Sequence, residues 1–263
     1  MAVLLPLVVL FGLAVGSFLN VVVHRVPRGE SLVAPPSHCP QCGHGVRARH
    51  NIPVFGWLVL RGRCADCQAP ISPRYPLVEL GTAALFAAIA WWLGGVPELP
   101  AYLYFAAIGV SLALIDLDTR RLPSAIILPS YVVLAALLTG AAAMQHDWAA
   151  LLRAGIGGVV LFAFYFLLVL IHPQGMGFGD VRLAGILGGM LGYLSWSALI
   201  VGAFGGFLLG AVAGVAVLVA RRGDRKTALP FGPFMITAAV LAFFVAQPIA
   251  AWYLGLVTGV SPS

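Results

Sequence analysis

The sequence predicts an all-α polytopic membrane protein with about eight transmembrane helices and one small folded insertion between the first two. Three observations carry this. Of its 263 residues, 61% are hydrophobic and only 9% are charged, which leaves too little polar surface for a soluble domain. Eight windows approach the roughly 20 apolar residues that a helix rising about 1.5 Å per residue needs to cross about 30 Å of hydrocarbon. Every cysteine lies in the one long polar stretch, residues 24–76.

In chain order the spans fall at residues 2–23, 77–93, 100–115, 126–144, 151–171, 183–195, 199–220 and 234–256. The first lacks the basic n-region of a secretory signal and runs directly into His24, Arg25 and Arg28, so it is read as a retained helix. With eight spans, Arg25, Arg28, Arg47, Arg49, Arg61, Arg63, Arg74, Arg120, Arg121, Arg182, Arg221, Arg222, Arg225 and Lys226 share one face, and Arg153 alone lies opposite. Loops rich in Lys and Arg stay in the cytoplasm, so both termini are expected on the other side. The net charge of +6 then reflects topology and contact with lipid rather than a nucleic-acid partner. The domain organisation expected is a first helix at 1–23, a cytoplasmic loop domain at 24–76, a seven-helix membrane domain at 77–256 and a tail at 257–263.

The loop domain carries Cys39-Pro-Gln-Cys42 and Cys64-Ala-Asp-Cys67, two C-x-x-C turns separated by 21 residues. Each turn can present two thiolates to one ion, and two turns complete the tetrahedron that Zn²⁺ prefers, giving a zinc-ribbon-like insertion. The competing reading is two disulfides, which a reducing cytoplasm disfavours. A domain this small also lacks a core large enough to hold it folded, and a structural metal supplies the staple. Cys39, Cys42, Cys64 and Cys67 are the expected ligands, with His38 and His44 as flanking residues able to substitute. A site closed by four cysteines keeps no open position and is structural, not hydrolytic.

Nine carboxylates remain to be explained. Glu30, Asp66 and Asp224 fall in polar cytoplasmic loops, and Glu98 and Asp147 in short outer loops. Asp116 and Asp118 follow the third span, Asp180 precedes the sixth, and Glu79 lies just inside the second, either anchoring that helix at the interface or taking part in chemistry. Ionised groups at membrane depth are costly and need a reason. The topology sets Asp116 and Asp180 on the same face, so they can meet. Two close carboxyls cannot both ionise: one can activate water while the other keeps its proton and polarises a carbonyl, the division of labour of an aspartyl protease. The glycines of Gly175-Met-Gly-Phe-Gly-Asp180 offer backbone freedom and close approach to an extended substrate. In isolation the same motif also reads as a turn whose aspartate caps the next helix. Asp118 reads as a solvated residue balanced by Arg120 and Arg121.

Taken together these segments resemble the prepilin peptidases, or type IV leader peptidases. Gly16-Ser-Phe-Leu-Asn-Val-Val-Val-His24-Arg-Val-Pro27 is similar to the family's N-terminal signature, followed by the paired cysteine turns. Arg61-Gly-Arg-Cys64 and Pro70-Ile-Ser-Pro-Arg-Tyr-Pro-Leu-Val-Glu79 resemble its next block. Asp116 with Leu122-Pro123, then Gly175 to Asp180, resemble its two catalytic segments. The order and spacing of these motifs are more specific than any one of them. Two departures stand out: Ser124 where an acidic or amide residue is usual, and Arg182 where Lys is more common.

The resemblance implies a membrane aspartyl endopeptidase of the bacterial inner membrane, with Asp116 and Asp180 as the catalytic pair. It would remove the basic leader from type IV prepilins or type II secretion pseudopilins, cutting after a glycine at the cytoplasmic surface. The form with a cysteine-bearing loop also implies N-methylation of the new terminus with S-adenosylmethionine, for which the residues themselves mark no donor site. Two other classes compete. A transporter would use the aspartates as proton or cation sites and would favour repeated helix patterns in the two halves, which this sequence lacks. A scaffold would act through its zinc loop alone.

Overall fold

The computed structural model describes residues 1–173, 176–220 and 229–258. Gly175, the basic run Arg221, Arg222, Arg225 and Lys226, and most of the tail lie outside the described residues. The elements are α1 (Leu4–Arg25), the short α2 (Phe55–Val59), α3 (Arg74–Leu93), α4 (Leu99–Thr119), α5 (Ser124–Gln145), α6 (Trp148–Ile171), α7 (Phe178–Leu194), α8 (Trp196–Val219) and α9 (Gly232–Thr258). Among the described residues there is no strand. Seven of these helices, all but α2 and α7, are long and apolar enough to cross a membrane. The remaining long helix, α7, has 17 residues and is buried along most of its length. Eight long helices thus answer to the eight predicted spans, and the protein is a multi-pass membrane protein.

The largest differences from expectation fall at the two helix ends that carry the aspartates. α4 runs on through Asp116 and Asp118 to Thr119, and α7 begins at Phe178, so Asp180 sits in its first turn rather than before it. Hydropathy falls at these polar and glycine positions, but backbone hydrogen bonding does not. The chain stays helical for as long as its N–H and C=O groups find partners.

The chain divides into two compact units, Met1–Ser111 and Leu112–Ser263. In the first, α1 and α3 approach closely where α1 carries Gly12 and Gly16, four residues apart. A Cβ on either would stand 2.7 Å from a Cα of α3, that of Ala83 or of Glu79, the close approach that small residues permit between membrane helices. Asn20 Nδ2 donates to the carbonyl of Tyr75 at 3.2 Å, near the start of α3. At the end of α1 the buried Arg25 donates to the carbonyls of Ser31 and Pro35, at 2.8 and 2.6 Å, and so straps the start of the insertion to the helix. Glu79, also buried, accepts the backbone N–H of Val54 at 2.7 Å. It therefore anchors the insertion to α3.

In the second unit α7 packs against α5, α6, α8 and α9. Arg153 on α6, the one basic residue assigned to the opposite face, donates to the carbonyls of Gly192 (3.1 Å) and Tyr193 (2.9 Å). A cation on the last carbonyls of α7 complements the negative end of that helix. The outer surface of α8 presents Ile200, Phe204, Leu208 and Val212, an apolar stripe every fourth residue that lipid covers without cost.

Candidate active site

Within the second unit three helix ends converge. Asp116 lies in the last turn of α4 and is 5% exposed. Its Oδ2 accepts the backbone N–H of Gly232 at 3.1 Å. Gly232 opens α9, and Pro233 follows in the first turn, where its fixed φ suits a helix start and its missing N–H is no loss. The first N–H groups of a helix have no internal acceptor and carry partial positive charge, so a carboxylate is well placed there.

Asp180 is the third residue of α7 and is 9% exposed. Its Oδ2 accepts the N–H of Gly177 at 3.2 Å, and its own N–H donates back to the Gly177 carbonyl at 3.1 Å. The helix-cap reading is therefore met. It does not exhaust the residue: Asp116 lies within electrostatic reach of Asp180, as does the buried Tyr165 of α6. Both carboxylates thus sit at helix N-termini, and both are withdrawn from solvent.

Leu122 links the two halves. A Cβ on Gly179 would lie 2.8 Å from the Cβ of Leu122, and a Cβ on Gly232 would lie 3.4 Å from the Leu122 methyls and 2.8 Å from Asp116 Oδ2. Glycine at these two positions lets α7 and α9 close on the α4–α5 turn. Gly177, by contrast, has φ −78° and ψ 150°, a conformation open to any residue, so the expected backbone freedom is not used there. Asp118 is exposed. Two positions along a helix turn its side chain away from that of Asp116.

The two unusual residues meet. Arg182 Nη1 donates to Ser124 Oγ, and the guanidinium lies 4.8 Å over the ring of Phe178. The Arg182 carbonyl in turn accepts the hydroxyl of Tyr131 at 2.5 Å. These contacts tie the first turn of α7 to the start of α5.

In the first unit the Sγ atoms of Cys39, Cys42, Cys64 and Cys67 all lie within 4.8 Å of one another, and Cys39 and Cys67 are 3.8 Å apart. Four sulfurs about 2.3 Å from a tetrahedral ion stand about 3.8 Å apart, so the donor set and its spacing fit a metal of that type. The two turns repeat one another. Gly43 N–H donates to Cys39 O at 2.9 Å, and Gln68 N–H to Cys64 O at 3.1 Å. Both donors are left-handed, at φ 73° and 59°. An isolated bridge closes each turn, His38 with Gly45 and Arg63 with Pro70, and Arg47 pairs with Asp66 across them at 2.7 Å. All four cysteines are free of disulfides. His38 bonds the carbonyl of Pro36 at 3.1 Å and, like His44, stays outside the cluster.

The thiols are not equivalent. Backbone N–H groups of Cys42 and Gln41 draw Cys39 down to about 6. At Cys67 the Ala69 N–H favours the thiolate, but desolvation and the three neighbouring thiols prevail and push it up to about 12. Four sulfurs this close favour full deprotonation only with a cation among them.

Residues 10–93 match the bacterial peptidase A24 N-terminal domain, and residues 103–219 match the type IV leader peptidase family. A prepilin leader peptidase/N-methyltransferase of Aeromonas hydrophila is 38% identical over 275 residues, covering 94% of this chain and 93% of the relative. The chain belongs to the type IV leader peptidase family. Relatives of the same name from Pseudomonas aeruginosa and Burkholderia pseudomallei are 36% and 37% identical, covering 94% and 93% of this chain. No solved structure gives a significant match.

In this member of the leader peptidase family the structure brings Asp116 near Asp180 and collects the four cysteines, while Asp118 and Glu79 belong to neither group. Sequence reasoning missed Gly232 and Tyr165. A signal for the first was present in Pro230-Phe231-Gly232-Pro233, a Gly-Pro pair at the head of an apolar run. Tyr165 lies in a uniformly apolar span, and nothing local distinguishes it.

Proposed function

We propose that this protein is a membrane aspartyl endopeptidase that removes the basic leader from type IV prepilins or type II secretion pseudopilins after a glycine, and that it also N-methylates the new N-terminus. The observation that carries the peptidase reading is the pair of buried carboxylates, Asp116 and Asp180, held within electrostatic reach of each other at the heads of α9 and α7. In this reading the ionised carboxyl takes a proton from water as the oxygen attacks the scissile carbonyl. The protonated carboxyl donates to the carbonyl oxygen, and collapse of the tetrahedral intermediate transfers a proton to the leaving amine. The N–H donors of Gly232 and Gly177 orient the pair and support the form that carries charge.

The domain 24–76 is proposed as a zinc-binding module, with Cys39, Cys42, Cys64 and Cys67 holding a structural Zn²⁺, and 77–256 as the membrane domain of the protease. Zinc would brace the loop and take no part in hydrolysis. S-adenosylmethionine would supply the methyl group. The basic residues support an orientation with the aspartates at the cytoplasmic surface of the inner membrane and both termini periplasmic. A prepilin would then lie with its helix in the bilayer and its cleavage point at that surface.

The test is intact-mass analysis of a purified prepilin incubated with the protein in liposomes, with and without S-adenosylmethionine. The reading expects loss of the leader in both cases and one added methyl group when the donor is present. An uncut prepilin contradicts it, and cleavage without methylation removes only the second activity.

A further inference from the structure

Between the two cysteine turns runs Asn51-Ile-Pro-Val-Phe-Gly-Trp-Leu-Val-Leu60, a segment that contains none of the four cysteines and no carboxylate. It is far too apolar for the polar loop that contains it. Ile52, Phe55, Leu58 and Val59 are 52%, 65%, 55% and 74% exposed, a group of large side chains that the described residues leave largely uncovered.

Three observations say what covers it. The first is depth. The N–H of Val54 is bound to Glu79, which lies five residues inside the membrane-spanning α3. At about 1.5 Å per residue, that is about 7.5 Å below the start of that helix, within the roughly 5–10 Å at which interfacial segments seat their apolar face. The second is fixed orientation. Trp57 Nε1 donates to the carbonyl of Ile71 at 3.1 Å, and the Trp57 ring packs against Gly62. The inner face of α2 is thereby occupied, and the four apolar side chains are held outward. The third is charge. Arg49, Arg61 and Arg63 flank the patch and are exposed. Among the described residues none of the three has a carboxylate partner, whereas Arg47 is paired with Asp66.

We propose that residues 51–60 form a wedge seated in the interface of an anionic bilayer, with Ile52, Phe55, Leu58 and Val59 among the acyl chains and Arg49, Arg61 and Arg63 on lipid phosphates. The wedge pins the cysteine-bearing loop flat on the membrane beside α1 and α3. It does not depend on the protease reading.

The test uses the full chain in nanodiscs of mixed phosphatidylcholine and phosphatidylglycerol. Benzoylphenylalanine replaces Phe55, Val59, the lipid-facing Phe11 of α1, or Gln68 on the second cysteine turn, and adducts are weighed after illumination. Lipid adducts are expected at Phe55 and Val59 at yields like those at Phe11, and about tenfold or more above Gln68. The triple substitution Arg49→Gln, Arg61→Gln, Arg63→Gln should lower the yield at Phe55 in mixed nanodiscs to that found in phosphatidylcholine alone. Yields at Phe55 and Val59 no higher than at Gln68 would overturn the wedge. So would adducts to an added prepilin peptide in place of lipid, and an unchanged yield in the triple variant would overturn its phosphate contacts.

Discussion

The backbone N–H of Gly232 donates to Oδ2 of Asp116 at 3.1 Å, joining residues 116 positions apart. It fixes the carboxylate of α4 on the head of α9. A Cβ at position 232 would stand 2.8 Å from that oxygen, closer than a Cβ carbon approaches a non-bonded atom. Gly232→Ala should therefore displace Asp116 and lower cleavage by about a hundredfold, the scale of an ångström of misplacement, while the protein still extracts and melts as a folded species. Gly81→Ala, where an added Cβ meets nothing within 4 Å, should leave cleavage unchanged and stability equal or up to about 1 kcal/mol higher. Steady-state cleavage and thermal melts of both variants check this.

Asp180 serves as a cap and as a charge, and two substitutions separate these roles. Asp180→Asn keeps an oxygen for the Gly177 N–H, whereas Asp180→Ala removes both. Neither should cleave. The alanine variant should be the less stable of the two by about 1 kcal/mol, the worth of a helix cap, as read from denaturation in a common detergent.

How much of this was legible in the sequence follows from the range of each interaction. The cysteine turns were legible because their geometry is local: four residues set each turn, and two turns close one site. The spans were legible from hydropathy, and the meeting of Asp116 with Asp180 from counting crossings. Contacts of Gly232, Leu122 and Tyr165 with the two aspartates' surroundings were not, because they depend on how helices pack and leave no mark in the local pattern. Glu79 read as an interfacial anchor, but its partner, the backbone of Val54, carries no side-chain signature.

Arg182 and Ser124 should act together. Arg182 holds the first turn of α7 to the start of α5 through Ser124 Oγ, with its guanidinium stacked on Phe178. Arg182→Ala should reduce kcat about tenfold, and Arg182→Lys should recover part of it, since an ammonium keeps the charge but not the planar stack. Ser124→Ala should add little to Arg182→Ala if the pair is one unit, which a double-mutant cycle on kcat reads directly.

Metal retention by the insertion should follow the thiols. Cys39 is already drawn down to about 6 while Cys67 is pushed up to about 12, so a cation must displace protons from thiols such as Cys67 at neutral pH. As pH falls through about 6, Cys39 is protonated too and affinity drops further; as pH rises, affinity increases. A chromogenic zinc assay should find about one zinc per chain at pH 7.5 and faster release near pH 5.5. Cys64→Ser should weaken binding, with protease sensitivity of residues 24–76 rising in parallel.

Cleavage of a prepilin by aspartate variants tests the central claim most directly. Asp116→Asn and Asp180→Asn, each confirmed folded by its melt, should lose cleavage by at least about a thousandfold, while Asp118→Asn, altering an exposed side chain on another face of α4, stays within about threefold of the parent. Full processing by Asp180→Asn, or loss of activity only in Asp118→Asn, would contradict the assignment of Asp116 and Asp180 as the catalytic pair.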